Sequence, residues 1–146
     1  MTPVPKRLAK LGLCAIVMSS FACHESTAPP SPYAGGYQLV SVGGTPVPAP
    51  WNGATVMCST ITLGSDGSYT RSVTDTVHSG GSAQLTTTVQ TGRWRVSGST
   101  QGDPTLTATL NVTLSDGTSV SQQITKFGID YSFPSGDWIY SRSAVC

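Results

Sequence analysis

The longest strictly alternating stretch of the chain runs from Thr105 to Leu114. Leu106, Ala108, Leu110, Val112 and Leu114 share one face, while Thr105, Thr107, Thr109, Asn111 and Thr113 share the other. A period of two marks a strand with one side in a core and one side in water. Ser115-Asp116-Gly117-Thr118 follows, and Asp-Gly readily takes the positive backbone angles that a two-residue hairpin needs. Val120, Gln122, Ile124 and Lys126 then alternate on a returning strand. An earlier hairpin repeats the design. Met57, Ser59, Ile61 and Leu63 face one way, Ser65-Asp66-Gly67-Ser68 turns, and Tyr69, Val73 and Val77 come back.

Further strands are expected over 37–42 and from Ala83 through Leu85, Thr87 and Val89 on to Trp94 and Val96. Another runs from Phe127 to Phe133, with Phe127, Ile129, Tyr131 and Phe133 on one face, and a last one covers about 137–142. Pro46, Pro48 and Pro50 make the long link after the first strand irregular. Ser and Thr supply about a quarter of the residues, and no segment after residue 32 keeps an apolar period near 3.6, so the composition is all-β. About eight strands in sequence order, mostly joined by short turns, hide their edges best by curling into one closed up-and-down antiparallel barrel. The alternative is a two-sheet β-sandwich. It wants longer crossovers and usually a tryptophan beside a central disulfide, and only the proline link is long enough for an obvious crossover.

The first thirty residues read differently. Lys6, Arg7 and Lys10 form a cationic head, and an uncharged apolar run follows from Leu11 to Ala22. About twelve residues are too few to span roughly 30 Å of hydrocarbon as a helix. A basic head, a short apolar middle and a small residue before a cut make a secretory signal, here residues 1–22. His24 to Pro32 is polar and proline-rich, so 23–34 is expected to be a flexible tether and 35–146 the folded domain. That domain of about 110 residues is one unit, large enough to bury roughly two thirds of its surface.

Ser20-Phe21-Ala22-Cys23 resembles the lipobox of bacterial lipoproteins, which implies a lipid on Cys23 and anchoring in a membrane. Ser20 and Ala22 equally suit ordinary signal peptidase, which cuts the same bond and leaves Cys23 bare. Cysteine parity favours the lipid. Cys14 leaves with the signal, and lipidation of Cys23 leaves Cys58 and Cys146 as a natural pair in an oxidising compartment. A disulfide between them closes a loop of about ninety residues and contributes at most roughly 4–5 kcal/mol in the chain-entropy account. The expected location is the bacterial cell envelope, as an outer-membrane lipoprotein facing the periplasm or the surface.

Charge and chemistry narrow the function classes. Beyond the signal, Arg71, Arg93, Arg95, Lys126 and Arg142 face seven acids, a net charge of −2 with no basic stripe, which argues against a nucleic-acid partner. His24 and His78 are the only histidines, no serine sits in a Gly-x-Ser-x-Gly elbow, and five of the six aspartates (Asp66, Asp103, Asp116, Asp130 and Asp137) lie beside Gly or Pro or near strand ends, as turn residues do. No catalytic residue, cofactor site or metal site is expected, so the chain reads as a non-enzyme. One constellation stands apart. From Ser68 to Val77 every even position is Ser or Thr, which leaves Tyr69, Arg71, Val73, Asp75 and Val77 on the odd face. If that face points inward, Arg71 and Asp75 need partners or a ligand, with Tyr69, Val73 and Trp94 as further lining. If the strand lies at the rim, both charges are in water.

Gly35-Gly36-Tyr37-Gln38-Leu39-Val40-Ser41-Val42, then Gly43-Gly44-Thr45-Pro46, is similar to the opening of bacterial lipocalin-like domains. Asp66-Gly67-Ser68-Tyr69-Thr70, Gly92-Arg93-Trp94-Arg95-Val96 and Trp138-Ile139-Tyr140-Ser141-Arg142 resemble later strands of that group. The resemblance implies a barrel closed by Arg142 packing over Tyr37 as a cation–π pair, and a small hydrophobic or amphipathic ligand held inside. The other reading is a structural or interaction protein of the envelope whose barrel is filled by its own side chains.

Overall fold

The computed structural model describes residues 31–99, 102–131, 137–142 and 144. The segment 1–22 expected to be a signal, Cys23 and Cys146 lie outside the described residues. Ten strands follow in chain order: β1 (Gly35–Val42), β2 (Thr45–Pro46), β3 (Ala49–Trp51), β4 (Ala54–Leu63), β5 (Ser68–Ser79), β6 (Ser82–Ser97), β7 (Ala108–Leu114), β8 (Ser119–Ile124), β9 (Gly128–Tyr131) and β10 (Trp138–Ser141). Every pairing is antiparallel. β4 through β10 form a meander, and β1 closes it by pairing with β4 on one side and β10 on the other. The result is a closed eight-stranded barrel, not a sandwich. β2 and β3 lie outside the ring, where the proline link folds back first on β1 and then on β4, with a cis bond at Val47–Pro48.

One face of each ring strand builds the core. Tyr37, Leu39, Ile61, Leu63, Tyr69, Leu110, Val112, Ile124, Ile129 and Tyr140 are all at most 2% exposed. The opposite faces are largely Ser and Thr. In β7, for example, Ala108, Leu110 and Val112 are buried while Thr109 and Thr113 are exposed.

The Asp-Gly turns form, each with one residue more than the two expected. Gly67 and Gly117 donate to the carbonyls of Gly64 and Leu114, and each glycine sits at positive φ (+80° and +87°). That is a type I turn completed by a left-handed residue, the three-residue hairpin loop. Asp66 and Asp116 fix it by accepting the N–H of Ser68 and Thr118 through their side chains.

Four phase expectations are corrected. Met57 is 39% exposed, because a bulge between Val56 and Cys58 inserts an extra residue and hands the inward phase to Val56 and Ser59. β7 begins at Ala108 rather than Thr105. The Asp103 carboxylate accepts the N–H groups of Thr105 and Thr107, holding that stretch in a turn with Leu106 at φ +52°. Lys126 and Phe127 form the β8–β9 turn, closed by the Thr125 N–H to Gly128 carbonyl bond, so Phe127 is 60% exposed; Phe133 lies outside the described residues. On β6, Leu85 and Val89 have the parity opposite to Trp94. They stand on the outer face of a strand that runs past the ring, 71% and 58% exposed, while Trp94 is buried.

Candidate functional site

β5 carries the site because its odd positions turn inward. Tyr69 is 1% exposed, and Arg71, Val73 and Asp75 are half-buried. The rim alternative for this face is set aside over that span, and only Val77, beyond the last pairing with β4, is exposed. The Tyr69 hydroxyl lies 3.0 Å from that of Tyr131 on β9. β5 and β9 are diametrically opposite in the ring, so this single contact crosses the axis of the barrel.

Arg71 sits on top of that bridge. Its Nε donates to the Tyr140 hydroxyl on β10 at 3.0 Å, and Nη1 reaches Gln90 Oε1 at 3.4 Å. The guanidinium carbon lies 4.7 Å from the Trp138 ring centroid and 5.3 Å from that of Tyr131, within cation–π range. The Tyr140 hydroxyl is 2.9 Å from Ser59 Oγ, which donates in turn to the Ser72 carbonyl at 2.8 Å. Since Ser59 gives its proton to a carbonyl, it accepts from Tyr140, and Tyr140 accepts from Arg71. A polar relay thus links β5, β10 and β4 through the interior.

The electrostatics follow from burial. Desolvation pushes the Tyr37, Tyr69, Tyr131 and Tyr140 hydroxyls above the usual phenol range, so all four stay protonated, as Tyr140 must to donate to Ser59. Nearby arginines pull the other way in each case, but burial wins. Asp75, paired across β5 to Val56 and Thr86, is raised for the same first reason, with Arg71 opposing. Its Oδ1 is buried and has no hydrogen-bond partner.

The remaining sequence-chosen residues fall elsewhere. Trp94 is buried near the opposite end, where its ring N–H donates to Gly64 O at 2.9 Å and pins the β4–β5 turn, so it does not share a lining with Arg71. Arg142 lies 5.0 Å over the Tyr37 ring. Its Nη2 also donates to the Tyr37 hydroxyl and to the carbonyls of Pro32 and Ala34, tying the chain just before β1 to the end of β10. Cys58 is half-buried on β4. Reasoning from sequence missed Ser59, Gln90, Tyr131, Trp138 and Tyr140 as partners of β5. The inward parity of Ser59 and Tyr131 was legible and that of Gln90 was not, and which strands oppose one another depends on where the ring closes.

Two concavities lie on the outer face of the barrel. One of about 490 Å³ is lined by Arg93, Arg95, Asn111 and Thr113, all on the outer face of β6 and β7. Another, of about 320 Å³, runs along β8, β9 and β10 beside Phe127 and Ile139.

A pH test isolates Asp75. Its folded pKa lies above the ordinary value near 4, so the folded chain holds a proton that the unfolded chain releases. Stability from this group is complete below about 4 and falls as pH rises through the raised value. Asp75→Asn should therefore melt higher than the native chain at pH 7.5, with the gap closing as pH is lowered toward 4. The turn aspartates are present in both proteins and cancel in the difference. Thermal melts across pH check this; a gap that is constant with pH contradicts it.

Comparison of the chain with protein-family models, with curated proteins and with solved structures gives no match.

Proposed function

We propose that this chain is a non-enzymatic lipoprotein of the cell envelope whose solid-packed barrel acts as a structural or interaction module. The observation that carries the reading is the Tyr69–Tyr131 contact. A hydrogen bond between diametrically opposite strands puts protein atoms where a ligand held in a hollow barrel would lie. The Arg71–Tyr140–Ser59 relay closes off the neighbouring interior in the same way. With the inside filled, the surfaces left to meet a partner are the outer faces, rich in small hydroxyl side chains and poor in charge. Cys23 carries the lipid in this reading, and Cys58 pairs with Cys146.

A second reading keeps a small amphipathic ligand, bound at the Arg71–Asp75 end of the interior. It is favoured by Asp75 Oδ1, a buried acceptor that lacks a donor and would gain one from a ligand hydroxyl or amine.

Native mass spectrometry of the purified full chain, followed by thermal shift against fatty acids and other apolar or amphipathic molecules, separates the two. The packed-barrel reading expects an apo mass and melting points unmoved by the panel. A co-purifying small molecule, lost in Asp75→Ala or Arg71→Ala, overturns it in favour of the second reading. For the anchor, Cys23→Ser should move the protein from the membrane to the soluble fraction, and mass analysis of the native peptide should show acyl groups on Cys23. A native Cys23 peptide without added mass defeats the lipoprotein assignment.

A further inference from the structure

The fold puts most of its cations to use. Of the five basic residues beyond residue 22, Arg71 holds Tyr140, Arg142 ties the seam of the barrel, and Lys126 Nζ lies 4.9 Å over the Phe127 ring. Arg93 has one partner, the Asp66 carbonyl, which its Nη1 reaches at 3.1 Å. Arg95 has none: among the described residues it makes no hydrogen bond, ion pair or ring contact.

β6 sets these last two side by side. Arg93 and Arg95 flank the buried Trp94, so alternation turns both onto the outer face, roughly 7 Å apart along the strand. Their cross-strand neighbours on β7 are Thr113 and Asn111, and these four residues line the concavity of about 490 Å³. Asn111 is a fixed part of its wall. Its Nδ2 donates to Ser97 Oγ at 2.9 Å and its Oδ1 accepts from Ser121 Oγ at 2.8 Å. The Thr113 hydroxyl has no hydrogen-bond partner among the described residues. No acid lines the space. The carboxylate of Asp66, beside Arg93, already accepts the N–H and the hydroxyl of Ser68 at 2.9 and 2.6 Å and is not part of the lining. Two like charges therefore face one space, and they repel until an anion joins them.

We propose that this concavity binds a phosphorylated sugar, with its phosphate on Arg93 and Arg95. A guanidinium is a planar fork of donors that suits phosphate oxygens two at a time, and Arg95 has its whole fork to give. A phosphate monoester carries between about −1.5 and −2 charges at neutral pH, which two arginines balance and a carboxylate would not. The volume lies in the range of small-molecule sites and exceeds what a bare anion fills. The rest of the lining is a hydroxyl and an amide, so the body attached to the phosphate is polyhydroxylated rather than apolar. The site lies on the outer face and depends neither on the lipid anchor nor on how the interior is filled.

Titration of the purified full chain at low salt, followed by amide chemical shifts, reads the outcome. Glucose 6-phosphate should bind saturably with a Kd of about 1 mM or below, and at least about tenfold tighter than glucose or inorganic phosphate. A phosphorylated mannan titrated beside it separates the two sources of the group, a free sugar phosphate and one carried on a polymer, by which binds more tightly per phosphate. Arg95→Gln should weaken binding at least about tenfold with an unchanged melting temperature, since the side chain touches nothing in the fold. Arg95→Lys keeps the charge but loses the fork and should recover only part of the affinity. Lys126→Gln, which removes a cation outside the concavity, should leave binding unchanged. No saturable shift up to about 10 mM glucose 6-phosphate, equal affinity for inorganic phosphate, or the same loss in Lys126→Gln as in Arg95→Gln overturns the proposal.

Discussion

A hydroxyl placed on the axis of a barrel cannot be satisfied by its own strand or by a neighbour in the sheet, whose backbone groups are already committed to the ladder. It must find a donor or acceptor on the far wall. Tyr69 and Tyr131 solve this by meeting each other from opposite strands at 3.0 Å. Leaving either hydroxyl unmatched costs about 1–3 kcal/mol, so the pair braces the two opposite walls at that level. Arg71 then has its place. It lies over Tyr131 and Trp138 and gives Nε to Tyr140, so a half-buried cation is held on the inner face by aromatic rings and a hydroxyl. The inside of this barrel is ordered by directional contacts as well as by apolar area.

The ends of the ring obey a second constraint, that of the seam. β1 must pair on both sides at once, and its entry is set by Arg142, which reaches back from the end of β10 to two carbonyls before β1 and to the Tyr37 hydroxyl. Tyr37 passes the bond on to the Tyr33 carbonyl at 2.6 Å. β6 outruns β7 and so leaves backbone groups facing solvent beyond the rim.

How much of this the sequence made legible follows from what alternation reports. The strands of Tyr37, Ile61, Tyr69 and Leu110 were legible because each places apolar side chains two apart, as was the closure that so many short links impose. Phase was lost where a local contact overrode the period: the bulge at Met57, the Asp103 carboxylate before β7, the tight turn at Phe127. Direction was ambiguous on β5 and β6, where both faces carry polar side chains. Arg71 and Asp75 look like surface charges until the ring is closed around them, and Leu85 and Val89 look like core until β7 is seen to stop at Leu114. Contacts across the axis, such as Ser59 with Tyr140, depend on the three-dimensional order of strands and leave no mark in one sequence.

The axis-crossing bond is tested most directly by a double-mutant cycle on Tyr69→Phe and Tyr131→Phe, read as unfolding free energy by denaturant titration. Each single change removes the hydroxyl–hydroxyl bond across the axis, and should cost about 1–3 kcal/mol. The double variant removes both hydroxyls and should cost clearly less than the sum, giving a coupling of about 1 kcal/mol or more. Strictly additive losses, or single variants as stable as the native chain, would mean that the two tyrosines do not meet on the axis and that the barrel is not held in this way.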